Sequence, residues 1–471
     1  MVSSPSLTRP TLLLASALCI LALNGAAQPA GAEALQDAQA AFDKQQYDQA
    51  LRLLDSLEKS GKGTPGDRRL KVKTLAKAGK PLDALAGYDA IVQAGGKDDL
   101  LLLREVAFGF ITPLLKDMRD QMRGAGYTAL REIESDEAVP FFEDGLSDGS
   151  GVVRALVAEG LARLKTGQKS ERFRKAVTDQ AAFVRVGVLK GLGRSGDRTA
   201  VAVIEPALKD DQGMVRAVAA GALVMLGDRE AFSQVLKAAQ EGNPEGRGAA
   251  MRMLGELRDR RALPILRAAL KDRQPSIRGA AASALGELGM PEGTAALASL
   301  LTDPIPAVRS SAALALSALG ARDRAPDIKK LFADQNLAVR AAAAAALLGM
   351  GRPFEEVAPV IRQLSQEGEP GLRAAAGRAL GKSGEKNAVE AVAALRVLLS
   401  DALPRPRIAA ARSLGHVGGP RQRQELVEVL KRALRDQDDA VRATAAGALI
   451  RWLDGKAGTG KGEPVEGETG Y

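Results

Sequence analysis

One arginine register constrains this chain more than any other feature. Arg123, Arg154, Arg185, Arg216, Arg247, Arg278, Arg309 and Arg340 follow one another at 31-residue intervals, and Arg373, Arg407 and Arg442 continue at 33, 34 and 35. Seven residues after every one of these eleven arginines stands a leucine, from Leu130 and Leu161 through to Leu414 and Leu449. Six residues before every one stands an acid: Asp117, Asp148, Asp179, Asp210, Glu241, Asp272, Asp303, Asp334, Glu367, Asp401 and Asp436. Chance does not produce such a register. A repeat of this length is one supersecondary unit that buries its apolar face only against its neighbours, so the chain is committed to a stack.

Each repeat reads as two helices. Pro291 to Leu301 carries apolar residues on one face, a proline-containing turn follows, and Ala307 to Leu319 is the second helix, stopped by Gly320. Glycines stand eleven residues after the arginine in seven repeats: Gly196, Gly227, Gly289, Gly320, Gly351, Gly384 and Gly418. A glycine just past a helix takes the left-handed conformation that ends it. The arginine itself sits in the first turn of the second helix, where the macrodipole disfavours a cation. A compensating anion is therefore expected. The acid six residues earlier, from the same or the adjacent repeat, supplies it and makes a structural ladder of Arg154, Arg185, Arg216, Arg278, Arg309 and Arg340 with Asp148, Asp179, Asp210, Asp272, Asp303 and Asp334.

Composition agrees with close helix stacking. Of 471 residues 46% are hydrophobic but only 3% aromatic, so the buried surface comes from leucines and small side chains. Residues 1–32 read as a signal peptide: Arg9 precedes an apolar stretch from Thr11 to Leu23, and Ala30-Gly31-Ala32 offers small residues for cleavage after Ala32. That expectation places the mature protein in the periplasm or outside the cell. The single cysteine, Cys19, lies in this segment after Leu18 and before further apolar residues, so neither a disulfide nor a lipid anchor is expected. No later apolar run is long enough for a transmembrane helix.

The phrases DRQPSIRGAAASALGELG (Asp272 to Gly289) and DQDDAVRATAAGAL (Asp436 to Leu449) resemble HEAT repeats, in particular the bacterial PBS-lyase HEAT-like class with its acid, turn, Val-Arg pair and Ala/Leu/Gly helix. The resemblance covers about Asp117 to Leu453 and implies an all-α, right-handed α-solenoid. Upstream, QQYDQALRLL (Gln45 to Leu54) and AGKPLDALAGYDAI (Ala78 to Ile91) place Ala50 and Ala84 34 residues apart, with Gly79, Ala84 and Tyr88 spaced as in a tetratricopeptide helix pair. The expected organisation is residues 33–95 as TPR-like repeats, 96–116 as a helical connector, 117–454 as the HEAT array and 455–471 as a disordered, Gly-rich tail.

Catalytic chemistry has little to stand on. After residue 32 the chain holds one histidine, His416, and no cysteine, which removes Cys-His pairs and His-rich metal centres. The His-Glu pairs that hold iron in deoxyhypusine hydroxylase, an enzyme of the resembled family, do not occur. Gly455 to Lys461 has P-loop spacing, but Gly462 replaces the required Ser or Thr and no strand precedes it. No catalytic residue, metal ligand or cofactor is expected.

The variable positions of the second helix carry whatever specificity exists. The fifth and ninth residues after the arginine share one helix face, expected to point to the inner surface of the solenoid. There Arg163, Lys190, Arg194, Arg252, Arg378, Lys382 and Arg412 are cationic, while Leu314, Ala318 and Ala345 are apolar or small. This reads as a groove with an apolar middle between basic stretches, suited to a protein partner with an acidic segment. Removing Arg9 leaves 65 basic against 57 acidic residues, a small excess. With so few aromatics for stacking, nucleic acid does not fit. The expected function is an exported, noncatalytic scaffold. Alternatives are a lyase-like or oxidoreductase-like HEAT-family subunit, and a peripheral envelope-binding protein that uses the basic stretches.

Overall fold

A computed structural model describes residues 30–61, 63–95 and 98–456, and every regular element among them is helical. Most of residues 1–32, expected as a signal peptide, and most of residues 455–471, expected as a disordered tail, lie outside the described residues. The chain divides into two compact units, residues 1–97 and 98–471.

The N-terminal unit holds four helices, α1 (Ala30–Asp43), α2 (Tyr47–Lys59), α3 (Pro65–Lys77) and α4 (Pro81–Gln93), each packed on the next. Ala38, Leu54 and Leu70 form a buried cluster, with Leu35, Phe42 and Leu53 packed against it. The 34-residue period is a geometric one. Gln45 and Gly79 both take positive φ, at 59° and 74°. The amide of Gln46 donates to the Ala41 carbonyl just as that of Lys80 donates to Leu75. Ala50 and Ala84 are both fully buried. The tight approach of α3 and α4 needs a small residue: a Cβ at Gly87 would lie 2.9 Å from Val72.

The C-terminal unit opens with α5 (Leu100–Gly109) and a 3-10 turn, Thr112–Lys116. Eleven second helices follow: α6 (Asp120–Glu132), α7 (Gly151–Arg163), α8 (Ala182–Arg194), α9 (Gly213–Met225), α10 (Pro244–Leu257), α11 (Pro275–Leu288), α12 (Pro306–Ala318), α13 (Leu337–Gly349), α14 (Pro370–Leu380), α15 (Pro404–Leu414) and α16 (Asp439–Leu453). Shorter helices between them form an outer layer. Each of α6–α16 packs on the next, whereas the outer helices pack on α6–α16 and hardly on each other. The layer with the shorter circumference is the one whose members touch, so α6–α16 line the concave side.

The expected solenoid forms but does not stay open. The last helix, α16, packs against α6 and α5, and the array closes into a ring. The segment Leu100–Lys116, expected as a connector, occupies the place of the first repeat's outer helix and covers α16 and α6. Closure requires each repeat to turn about 33° relative to the last, eleven such steps making a circle. Small residues permit that curvature. A Cβ on Gly193, Gly255 or Gly286 would lie 2.8–2.9 Å from the Cα of Ala222, Ala284 or Ala315 on the next helix. The inner helices therefore nearly touch, and the scarcity of aromatic residues follows.

The arginine register ties the ring's rim together. Eight arginines pair with the aspartate of the following repeat: Arg123 with Asp148, Arg154 with Asp179, Arg185 with Asp210, Arg247 with Asp272, Arg278 with Asp303, Arg309 with Asp334, Arg373 with Asp401 and Arg407 with Asp436. In seven of the eight the arginine Nη1 also reaches back to the carbonyl of its own repeat's acid, at 2.8 Å in Arg278–Asp272 and 2.6 Å in Arg309–Asp303, whereas Arg247 donates from Nε to the Ala239 carbonyl at 3.2 Å. The cation thus meets the carbonyl end of the outer helix, which offsets its poor placement at an inner-helix N-terminus. Each carboxylate then accepts a backbone N–H two residues on, as Asp303 does from Ile305 at 2.9 Å. Hydrogen bonding from Arg278, Arg309 and Arg373 outweighs burial and holds Asp303, Asp334 and Asp401 below the usual carboxylate range. Arg216 and Arg340 face repeats whose acid is a glutamate, Glu241 or Glu367, and take other partners: Arg216 the carbonyls of Asp210 and Asp211, Arg340 the Asp334 carbonyl and the Gln363 side chain.

The helix-ending glycines also divide. Gly196, Gly227, Gly289, Gly320, Gly351 and Gly418 take positive φ, but Gly384 is extended at φ −76°. In two repeats a non-glycine occupies the left-handed position, Glu134 and Arg258, both at φ 50°.

Candidate functional site on the inner face of the ring

The fifth and ninth positions after the arginine face the interior of the ring, and two side-chain bridges show it. Lys190 and Arg194 on α8 reach Glu256 on α10, at 2.8 and 3.1 Å, passing over α9. Side chains two helices apart can meet only on the concave side. They meet here because the fifth position of the intervening helix is Gly221. The same arrangement recurs at the closure. His416, two residues past the end of α15, bonds Glu132 of α6 at 2.9 Å, and Arg412 on α15 stands 3.9 Å from the same carboxylate, both passing over α16 at Gly447. In both cases basic side chains at the fifth and ninth positions of one repeat, a glycine in the next and a glutamate in the one after form a strap. Its recurrence across the seam means that the first repeat follows the eleventh in register.

These straps correct the expectation of continuous basic stretches. Lys190, Arg194 and Arg412 already have internal carboxylates. Burial alone would raise the Glu132 carboxyl, but the bond and charge of His416, with Arg412 and Arg131 nearby, bring it down to about 2. Arg163, Arg252, Arg378 and Lys382 are exposed on the inner face. Lys382 stands just past α14; its ammonium is reached by water yet ringed by protein, and that desolvation lowers its pKa. Between these cations the surface is low and apolar: Leu314 is 42% exposed on α12, beside Ala318, with Ala345 and Gly349 on α13. Ser317 donates to the Ala346 carbonyl at 2.8 Å and ties α12 to α13 beneath it.

Eleven helices about 9 Å apart on a circle have their axes at a radius of about 16 Å, which after side chains leaves an opening about 20 Å across. That admits one helix or an extended segment and excludes a folded domain. Among the described residues no three His, Cys, Asp or Glu side chains converge as metal ligands, and no helix is long and apolar enough to cross a membrane.

What reading the residues one by one missed is the straps. Their signal was present: acids at the ninth position, Glu256 and Glu132, stand two repeats beyond each fifth/ninth basic pair, with a glycine between. Only the concavity turns that spacing into contact, and only closure makes the first repeat the successor of the eleventh.

Stacked helix pairs, a shared rim ladder and a concave variable face define an all-α solenoid repeat protein. The HEAT-repeat family model matches residues 170–243, 232–317, 278–348, 328–396 and 357–450, together more than half of the chain, and the protein belongs to that family. Similar solved structures include the CpcE–CpcF complex of phycocyanin lyase from Nostoc sp. PCC7120 (21% identity, 54% of this chain and 94% of that one, TM-score 0.36). The Escherichia coli protein YibA is similar at 17% identity over 54% of this chain and 93% of its own, with a TM-score of 0.34. Human deoxyhypusine hydroxylase in complex with glycerol is similar at 21% identity over 64% and 100%, with a TM-score of 0.26. No curated protein matches the chain.

Proposed function

We propose that this protein is an exported, noncatalytic scaffold that holds a protein partner against the inner surface of its ring of HEAT repeats. The observation that carries this reading is the division of labour within each repeat. The positions fixed in register, arginine, acid and leucine, are spent on the rim ladder and the core. The two positions facing the interior vary from repeat to repeat, and in a solenoid the concave surface between repeats is where an extended ligand finds the largest area. Export rests on the signal read in residues 1–32.

Two measurements test it. Mass spectrometry of the protein recovered from the periplasmic fraction should show an N-terminus at Glu33; an intact Met1 there would remove the export reading. Affinity capture from envelope extract, using the mature chain and a variant with Leu314, Ala318 and Ala345 changed to Asp, should return a protein that the first retains and the second loses. The variant must keep its helical circular dichroism, and a partner held equally by both would place docking elsewhere.

A further inference from the structure

Three ladder arginines lack an aspartate from the following repeat, and they meet the loss differently. Arg442 turns to Asp439 of its own helix and Arg340 to the Gln363 side chain at 2.9 Å. Arg216 has neither: its two bonds, to the Asp210 and Asp211 carbonyls at 2.6 and 3.0 Å, both come from Nη1. The opposite edge, Nε and Nη2, is the one that grips a carboxylate elsewhere, as Arg154 grips Asp179 at 2.8 and 2.9 Å. Arg216 holds the same pose. A Cβ built on Gly151 would lie 3.7 Å from the Arg154 Nη2 and 3.2 Å from Ala181 of the next repeat. One built on Gly213 would lie 3.6 Å from the Arg216 Nη2 and 2.9 Å from the side chain of Asn243, which stands where Ala181 does in the register. The nearby acids are turned elsewhere. Glu241, still helical at the end of its outer helix, has Lys237 at 3.9 Å, and Asp211 has Arg185 at 3.3 Å. Arg216 is exposed, and no carboxylate among the described residues pairs with it.

A second feature adjoins this gap. Two residues before each arginine, and so seven before the fifth position, a side chain returns to the same inner face at the ladder end of the helix. In the second, third and fourth repeats it is Val152, Phe183 and Met214, with Val152 55% and Phe183 68% exposed and Met214 half-buried. In the fifth repeat it is Glu245, exposed on α10. The ladder-side mouth of the ring is thus apolar along α7–α9, with the unfilled guanidinium at one end and an acid beyond it. We infer that this mouth binds an extended polypeptide segment that places one carboxylate on the Nε–Nη2 edge of Arg216 and lays apolar side chains over Met214, Phe183 and Val152. The inference deepens the scaffold reading, on which it rests, by naming the contact that fixes the partner's register. Charge complementarity selects a carboxylate, because the same edge is filled by aspartate in the eight complete rungs. Glu245 repels an acidic segment running towards α10 and so directs the chain over α7–α9. About three extended residues span one helix spacing of about 9 Å, so the apolar residues follow the acid at intervals of about three.

The test uses the full mature chain and a fluorescein-labelled peptide of seven residues with aspartate first, leucine fourth and seventh, and glycine or serine between, read by fluorescence anisotropy. A second peptide carries asparagine in place of the aspartate. The unaltered chain should bind the first about 10-fold more tightly than the second, the difference that a charge-assisted pair makes. Arg216→Met should remove that difference and leave the asparagine peptide bound as before. Phe183→Ser, at an exposed side chain outside the core, should weaken both peptides about 5-fold. Arg340→Met, whose guanidinium already has Gln363, should change neither by more than about 2-fold. No binding of the aspartate peptide, or equal binding of the two by the unaltered chain, would overturn the assignment without recourse to any variant. A loss in Arg340→Met equal to that in Arg216→Met would overturn it as well. The two readings fail separately. An envelope partner held as well by Arg216→Met and Phe183→Ser as by the unaltered chain removes this contact and leaves the scaffold. Discrimination between the peptides without any captured partner removes the scaffold and leaves the contact.

Discussion

At the scale of single residues, Asp303 shows how much one side chain of the ladder does. Its carboxylate takes two bonds from Arg278, at 2.7 and 2.9 Å, and one from the Ile305 amide, while its carbonyl accepts from Arg309. It is 8% exposed. Replacing it with asparagine keeps the shape but leaves a guanidinium desolvated without its counter-charge, and removing one partner of such a pair costs about 3 kcal/mol. Urea unfolding of Asp303→Asn should show that loss, and Arg278→Met in the same background should recover part of it. Arg258 shows the opposite case. It ends α10 in the left-handed region at φ 50°, a conformation that costs a side-chain-bearing residue about 1 kcal/mol and glycine very little. Arg258→Gly should therefore raise the midpoint of thermal unfolding.

At the scale of elements, the decisive contact is α16 against α6. The last carbonyls of α6 lack intrahelical partners, and residues across the seam satisfy them. Arg451 donates to the Glu132 carbonyl at 3.1 Å, and Lys456 to those of Ile133 and Glu134 at 2.9 and 2.7 Å. Arg104 at the start of the ring adds a bond to Asp454 at 2.7 Å. The helices approach so closely that a Cβ on Gly447 would lie 2.7 Å from the Ala129 carbonyl oxygen, part of a backbone that cannot step aside. Gly447→Ala should cost about 1–3 kcal/mol, although glycine to alanine within a free helix is stabilising. Hydrogen exchange should place the loss of protection at residues 129–134 and 447–451. Acid should loosen the same seam. The Glu132 carboxyl lies at about 2 in the fold, below its ordinary value of 4.5, so its contribution is complete above about pH 4.5 and disappears as pH falls toward 2. Glu132→Gln should flatten that acid limb of stability.

At the scale of the whole C-terminal unit, closure changes what a repeat is worth. In an open solenoid, removing one internal repeat subtracts that repeat and one interface. In this ring ten repeats would have to turn about 36° each where eleven turn about 33°, or the seam must part. Deleting residues 280–310, which joins Gly279 to Ser311 in register, should abolish protection of the amides at 132–134 while leaving the ladder from Arg154 to Asp210 protected. Retained protection at the seam would mean that the curvature per repeat is adjustable and the number eleven is not fixed.

The residues by themselves determined the repeat, its two helices, the leucine seam and the register of arginines and acids, because each of these depends on interactions within a repeat or between adjacent ones, and a 31-residue period puts both in plain view; which arginines join the ladder was decided by the structure, where Arg216 and Arg340 meet a glutamate repeat and take other partners. Most helix ends were equally legible, since a left-handed residue favours glycine; Glu134 and Arg258 escaped because the register enforces the conformation where the residue type does not. The interior positions could be listed but not evaluated. Whether Lys190, Arg194 and Arg412 present charge to a ligand or spend it on Glu256 and Glu132 depends on concavity, which brings the second repeat along within reach. His416 acquires its partner, Glu132, only where the eleventh repeat meets the first. Closure is the sum of eleven small rotations, each set by how closely glycine and alanine let neighbouring helices approach. No local pattern contains that sum, so it was left to the tertiary structure to decide that this solenoid is a ring.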